Sequence, residues 1–147
     1  MRVVVDANIV FSAILNAKGK IGDILINHSH KCDFIAPDFL RIEISKYHGK
    51  LSKISGLTIR DILESEYQIF KNIKFISEEQ ILQTSWNKAV ELVKDIDEKD
   101  IVYVALAIEF GCFLWSGDKK LMSGLTKKLF NSLYSTDNLY NIIIKNK

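Results

Sequence analysis

Three acidic residues stand where the surrounding sequence is apolar, and a fourth follows an apolar strand at a turn. Acids on a solvated surface need no explanation, whereas acids among core-type residues do. Asp6 ends the run Arg2-Val3-Val4-Val5. Glu43 falls inside the arc that Phe39, Leu40, Ile44, Tyr47 and Leu51 form at helical spacing, between Phe39 and Tyr47. Asp100 precedes Ile101–Phe110, a stretch apolar on nearly every face, and shares a stripe with Val104 and Ala107 rather than with the solvent-side Glu109. Asp118 follows Cys112-Phe113-Leu114-Trp115 through Ser116-Gly117. Each has an ordinary alternative: a helix cap for Asp6, Asp100 and Asp118, with Asp97 competing for that job at Asp100, and a buried partner for Glu43.

Gathered in one cleft, these carboxylates would conflict. Two unit charges about 4 Å apart interact by about 4 kcal/mol at an effective dielectric near about 20. A divalent cation removes the conflict. An all-oxygen set without clustered His or Cys favours Mg²⁺, with Mn²⁺ as a substitute. The histidines do not compete, because His28 and His30 lie on a polar helix end and His48 stands alone; all three are expected at the surface.

The elements that must position these acids follow from hydrophobic patterning. Residues 2–5 read as a strand buried on both faces, and helical patterning covers about 11–29. A strand at 33–36 ends at Pro37, which suits the first turn of a helix over 38–51. The segment Gly49–Gly56 punctuates the middle, followed by a helix over 57–72 and a strand over 73–76. Ser77-Glu78-Glu79-Gln80 starts a helix running to about 94, and another covers 98–110. Gly111 leads into a strand at 112–115, a short helix after Asp118, a strand near 132–135, and a terminal helix capped by Ser135 or Thr136. Five strands alternating with helices predict an α/β fold with a parallel sheet covered on both faces.

Composition is compatible with this. The 147 residues suit one domain, expected to span 1–147, and 48% apolar with 26% charged residues is an ordinary globular balance. Twenty Lys+Arg against 18 Asp+Glu leave a formal charge of +2, too small to argue nucleic-acid binding from bulk charge. Cys32 and Cys112 lack metal-ligand spacing and read as buried free thiols. Neither a secretory leader nor a membrane-length apolar run is visible, so a cytoplasmic location is expected.

In order along the chain, these motifs resemble those of the PIN-domain family. Asp6-Ala7-Asn8-Ile9-Val10-Phe11-Ser12-Ala13 resembles its opening motif, a strand-terminal Asp with Asn two residues on. Asp100-Ile101-Val102-Tyr103-Val104-Ala105-Leu106-Ala107 is similar to its third acidic motif, and Ser116-Gly117-Asp118-Lys119-Lys120-Leu121 to its fourth. Glu43 lies in the helix where the family carries its second acid, in a less distinctive local sequence, and Ala7 stands where many relatives have Thr or Ser. The resemblance covers essentially the whole chain. It implies a three-layer α/β/α sandwich with five parallel strands in the order 3-2-1-4-5. Asp6 and Asp118 would then meet at the switch point between strands 1 and 4, with Glu43 and Asp100 entering from flanking helices.

The resemblance also implies a function: Mg²⁺-dependent hydrolysis of RNA phosphodiesters, with Asp6, Glu43, Asp100 and Asp118 as metal ligands and catalytic carboxylates. Small bacterial members are often toxins of toxin–antitoxin pairs, so a cognate antitoxin is an expected partner. Asn8, Ser116 and Asp97 are expected to orient the carboxylates. Lys46, Lys50 and Lys53 after Glu43, and Lys119, Lys120, Lys127 and Lys128 after Asp118, are candidate RNA contacts or ordinary solvated lysines. Tyr47 and Trp115 are expected in the core, with base stacking as the alternative. A homodimer through apolar positions around Leu51–Leu57 is expected as well. The rival within the family is a catalytically silent module that binds RNA or protein. A haloacid-dehalogenase-type phosphatase would want a second Asp where Asn8 stands, and a dinucleotide-binding or P-loop protein would need a glycine-rich turn after strand 1.

Overall fold

The computed structural model describes residues 1–145. The chain runs β1 (Arg2–Val5), α1 (Ala7–Leu15), a short α2 (Lys20–Gly22), β2 (Asp33–Pro37), α3 (Phe39–Lys46), α4 (His48–Ser55), α5 (Ile59–Phe70), β3 (Ile73–Ile76) and α6 (Gln83–Val93). It continues through α7 (Ile101–Phe110), β4 (Phe113–Trp115), α8 (Lys119–Lys127), β5 (Leu133–Tyr134) and α9 (Thr136–Lys145). All strand pairs are parallel, in the order β3-β2-β1-β4-β5. The predicted sheet and its order are therefore correct.

Successive residues of a strand point to opposite faces, so Val3, Val4 and Val5, all with no exposed surface, show that both faces of β1 are covered. α7 lies against β1, β2 and β4, and α6 packs on α7. Val102 to Ala107 are all buried, as an all-apolar helix requires. Gly111 ends α7 at φ +59°, a left-handed backbone that disfavours side chains with a Cβ, and its N–H returns to the Ile108 carbonyl at 3.1 Å.

Several boundaries depart from the sequence reading. The helical pattern over 11–29 is an interrupted path. α1 begins at Ala7, is capped by Asp6 and ends at Asn16; α2 follows and passes into a five-residue π-type turn, Asp23–Asn27. Periodicity survives such interruptions because the same face still packs inward. Pro37 is the last residue of β2, opposite Ile76, rather than part of a helix's first turn. The helix over 38–51 is two helices broken at Tyr47 (φ −111°, ψ 9°), and Gly49 lies inside α4, which stops at Gly56. Ser77–Gln80 forms a single 3₁₀ turn before α6. Two of the histidines also differ from expectation, whereas His30 is exposed. His48 pairs with Glu66 at 2.6 Å between α4 and α5, with both side chains mostly covered, and His28 lies 3.5 Å from Asp23.

A candidate metal centre at the switch point

β1 and β4 are neighbours, and the chain leaves the sheet in opposite directions on their two sides, which creates the crevice where open α/β sheets place their ligands. Their register pairs Val5 with Trp115, so Asp6 and Ser116 leave the two strands side by side. Asp6 is 2% exposed. Its Oδ1 accepts from the Ile9 N–H at 3.0 Å, capping α1. The capping role is thus real, and it holds one oxygen of the carboxylate while leaving the other free to act. Two residues beyond Ser116, Asp118 is fixed the same way: its Oδ1 accepts from the Leu121 N–H at 3.1 Å, and its own N–H donates to Ser116 Oγ at 3.0 Å.

Asp100 ends a 3₁₀ turn, Glu98–Asp100, that feeds α7, yet its side chain caps nothing. That job falls to Asp97, which accepts from the Lys99 N–H at 3.0 Å. Capping therefore does not account for Asp100. Glu43 sits half-buried on α3 beside Leu40 and Ile44, which are fully covered, and Oε1 accepts a 2.6 Å hydrogen bond from the Tyr103 hydroxyl.

All four acids line one cleft of about 400 Å³. Asn8, Asp97, Lys50, Lys99 and Tyr103 share its walls, with Phe11, Leu15, Tyr47, Leu51 and Ile54 forming an apolar side. Phe11 and Tyr47 meet edge-to-face at 5.5 Å.

The electrostatics are those of a site short of positive charge. Burial pushes the Asp6 carboxyl up from 3.8 to about 6, with the Asp118 and Glu43 charges adding to it; the neighbouring Ser116 hydroxyl and the Ile9 N–H partly offset this. Asp100 rises to about 7, chiefly through burial, then through Asp97, Asp118, Asp6 and Glu43. Asp6 Oδ2 and Asp100 Oδ2 are both buried with no protein hydrogen-bond partner. Native folds rarely leave such atoms unmatched, and two of them on acids facing one cleft fit a hard divalent cation. Among the described residues, no three His, Cys, Asp or Glu side chains stand close enough to form a ready cation cage. The carboxylates share the cleft without converging, as mutually repelling charges do.

The whole of this architecture finds matches among known proteins. The family model described as PIN domain matches residues 4–138. The chain belongs to the PIN-domain family. A chain of the crystal structure of VapBC2 from Rickettsia felis, bound to a DNA fragment from their promoter, superposes on this PIN domain with TM-score 0.68 at 13% identity, covering 92% of this chain and 98% of that one. PAE2754 from Pyrobaculum aerophilum gives TM-score 0.69 at 12% identity, covering 99% and 90%. At these identities the likeness is one of fold. No curated protein matches the sequence.

Within this PIN domain the outer residues divide. Ser116 is buried beside Asp6, with its hydroxyl next to that carboxylate. Asn8 lines the cleft but is exposed and makes no side-chain hydrogen bond to a carboxylate, and Asp97 both lines the cleft and caps the turn before α7. Of the lysines, Lys50 lines the cleft, whereas Lys46, Lys119 and Lys120 are exposed outside it. Lys128 is committed elsewhere, to Asp95 and to the Glu91 and Leu92 carbonyls. Trp115 is fully buried, its indole N–H on Thr136 Oγ1 at 3.1 Å, so it is a core residue. Sequence reasoning missed Lys99 and Tyr103. Lys99 was legible as a cation between two cleft acids; Tyr103 was legible as the polar-tipped residue three places after Asp100, on the same helix face.

Proposed function

We propose that this PIN domain is a metal-dependent endoribonuclease, using Mg²⁺ with Mn²⁺ as a substitute, and that Asp6, Glu43, Asp100 and Asp118 are its metal-holding and catalytic carboxylates. The observation that carries this reading is the cleft with four acids, two of which keep a buried oxygen without any partner. The bound ion would polarise a phosphodiester and make its water a better nucleophile. The chain's own groups do the rest. Asp6 and Asp118 are held rigid by helix caps at the ends of adjacent strands, Asp100 by the buried α7, and an ionised carboxylate in this set accepts the proton of the attacking water. Lys50 and Lys99, the cations in the cleft wall, meet the RNA phosphates.

The likeness to the VapBC2 structure supports a toxin role with a cognate antitoxin as partner. A cytoplasmic enzyme accords with two free cysteines, whose thiols burial pushes up, Cys32 to about 12. No helix among the described residues is long and apolar enough to cross a membrane. For a homodimer near the expected segment, Ile54, Ile59 and Leu63 are exposed apolar side chains, while Leu51 is buried and drops out of the expected surface.

A silent PIN-like module that binds RNA or protein is the second reading, favoured by the lack of convergence among the carboxylates. Incubation with end-labelled RNA separates the two. Cleavage with Mg²⁺, none with EDTA, and none by Asp6→Ala or Asp100→Ala supports the nuclease. RNA binding without turnover across Mg²⁺, Mn²⁺ and Co²⁺ supports the module.

A further inference from the structure

Tyr103 is 2% exposed, yet its hydroxyl reaches the cleft and makes the only hydrogen bond that the described protein groups donate to the Glu43 side chain. It stands on α7 three residues after Asp100, on the same face of a helix whose inner residues are all buried. Glu43 comes from α3, a separate element whose own face offers it apolar neighbours, Leu40 and Ile44.

We infer that Tyr103 is a positioning residue for the metal centre: its hydroxyl holds Glu43 Oε1, so that one rigid helix supplies Asp100 directly and fixes Glu43 at second hand. The inference rests on the metal-site reading above. Without the hydroxyl, nothing ties a half-buried carboxylate against the repulsion of Asp6, Asp100 and Asp118, and the side chain turns outward. With it, one oxygen is engaged and Oε2 remains for a cation. The same logic applies where a partner of a ligating group sets its orientation, and loss of such a partner typically lowers metal affinity by about 10–100-fold. A phenol suits the task because it donates one hydrogen bond while bringing no charge that a bound cation would oppose.

The test is Mn²⁺ affinity, measured by electron paramagnetic resonance of the free ion, in the wild-type chain, Tyr103→Phe, Glu43→Gln and the double variant. The expected result is a loss of about 10–100-fold in Tyr103→Phe, with the double variant no weaker than Glu43→Gln alone. A role in packing alone would shift the melting temperature of the metal-free protein and leave the dissociation constant unmoved. Equal or tighter binding by Tyr103→Phe overturns the inference while leaving the metal site intact. Failure of the wild-type chain to bind Mn²⁺ overturns both. Should Tyr103→Phe not fold, ¹³C-labelled tyrosine spectra of the wild type serve instead. The ring signal displaced by Glu43→Gln must also move on adding Mg²⁺, and a signal that stays still overturns the inference.

Discussion

Burial without a counter-charge leaves Asp6 and Asp100 reluctant to ionise, and this has a consequence for stability. Both carboxyls titrate above their unfolded value of 3.8, Asp6 at about 6 and Asp100 at about 7. The folded state therefore holds protons that the unfolded chain has already released, and the resulting stabilisation is complete below pH 3.8 and lost as pH rises through 6 and 7. For Asp6, nearly inaccessible, the difference is about 2–3 kcal/mol. Thermal melts in EDTA are expected to show these two groups lowering stability from pH 4 to pH 8, and Asp6→Asn to remove much of that slope. Saturating Mg²⁺ should reverse the trend, because a cation rewards the ionised form. A Mg²⁺ effect of the same size in Asp6→Asn would contradict the assignment.

At the scale of elements, the short α2 leaves no room for a side chain at Gly22. A Cβ on Gly22 would collide with the backbone carbonyl of Ala17, which has no flexible side chain to yield. Gly22→Ala is thus expected to destabilise by about 1–3 kcal/mol in chemical denaturation. Gly49→Ala, whose Cβ meets nothing and which lies inside α4, should be neutral or stabilising by up to about 1 kcal/mol.

The elements also show how far the sequence could be read. The strands were legible because β-branched runs such as Val3–Val5 and apolar stretches such as Phe113–Trp115 are unambiguous when helices alternate with them, whereas their order came from the resemblance to the PIN-domain family. Asp6, Glu43 and Asp100 were legible because each interrupts an apolar pattern. The path after α1 was not, since Asn16 and the π-type turn break the backbone without breaking the apolar face. Pro37 was misplaced because a proline ends a strand as readily as it begins a helix. The break at Tyr47 carries no glycine or proline to mark it. Lys46, Lys119 and Lys120 were adjacent in sequence to cleft acids but project elsewhere, which no count of spacing reveals. Tyr103 was overlooked among the mostly apolar residues of α7, although its place three residues after Asp100 marks the cleft-facing side.

For the whole molecule, a net charge of +2 offers little general attraction for nucleic acid, so the RNA affinity proposed above would depend on a few placed cations. Replacing Lys50 and Lys99 together by Ala is expected to reduce the dependence of log Kd on log salt by roughly 1.4, since each lost contact to a single strand removes about 0.7. A fluorescence-anisotropy titration at several KCl concentrations reads this directly. An unchanged slope would move the RNA path to another face. Metal binding of the kind proposed would likewise be a property of the fold as a unit: at about 100 times its dissociation constant, Mg²⁺ should stabilise the native chain by about 2.7 kcal/mol.

On the proposed function, Asp6, Glu43, Asp100 and Asp118 hold a divalent cation in the cleft between β1 and β4. Crystals soaked in Mn²⁺ and measured near the manganese absorption edge test it most directly. The account predicts an anomalous peak within about 2.5 Å of oxygens from at least two of these four carboxylates, absent in Asp6→Ala crystals. An empty cleft at saturating Mn²⁺, or a peak held by other residues, would contradict it.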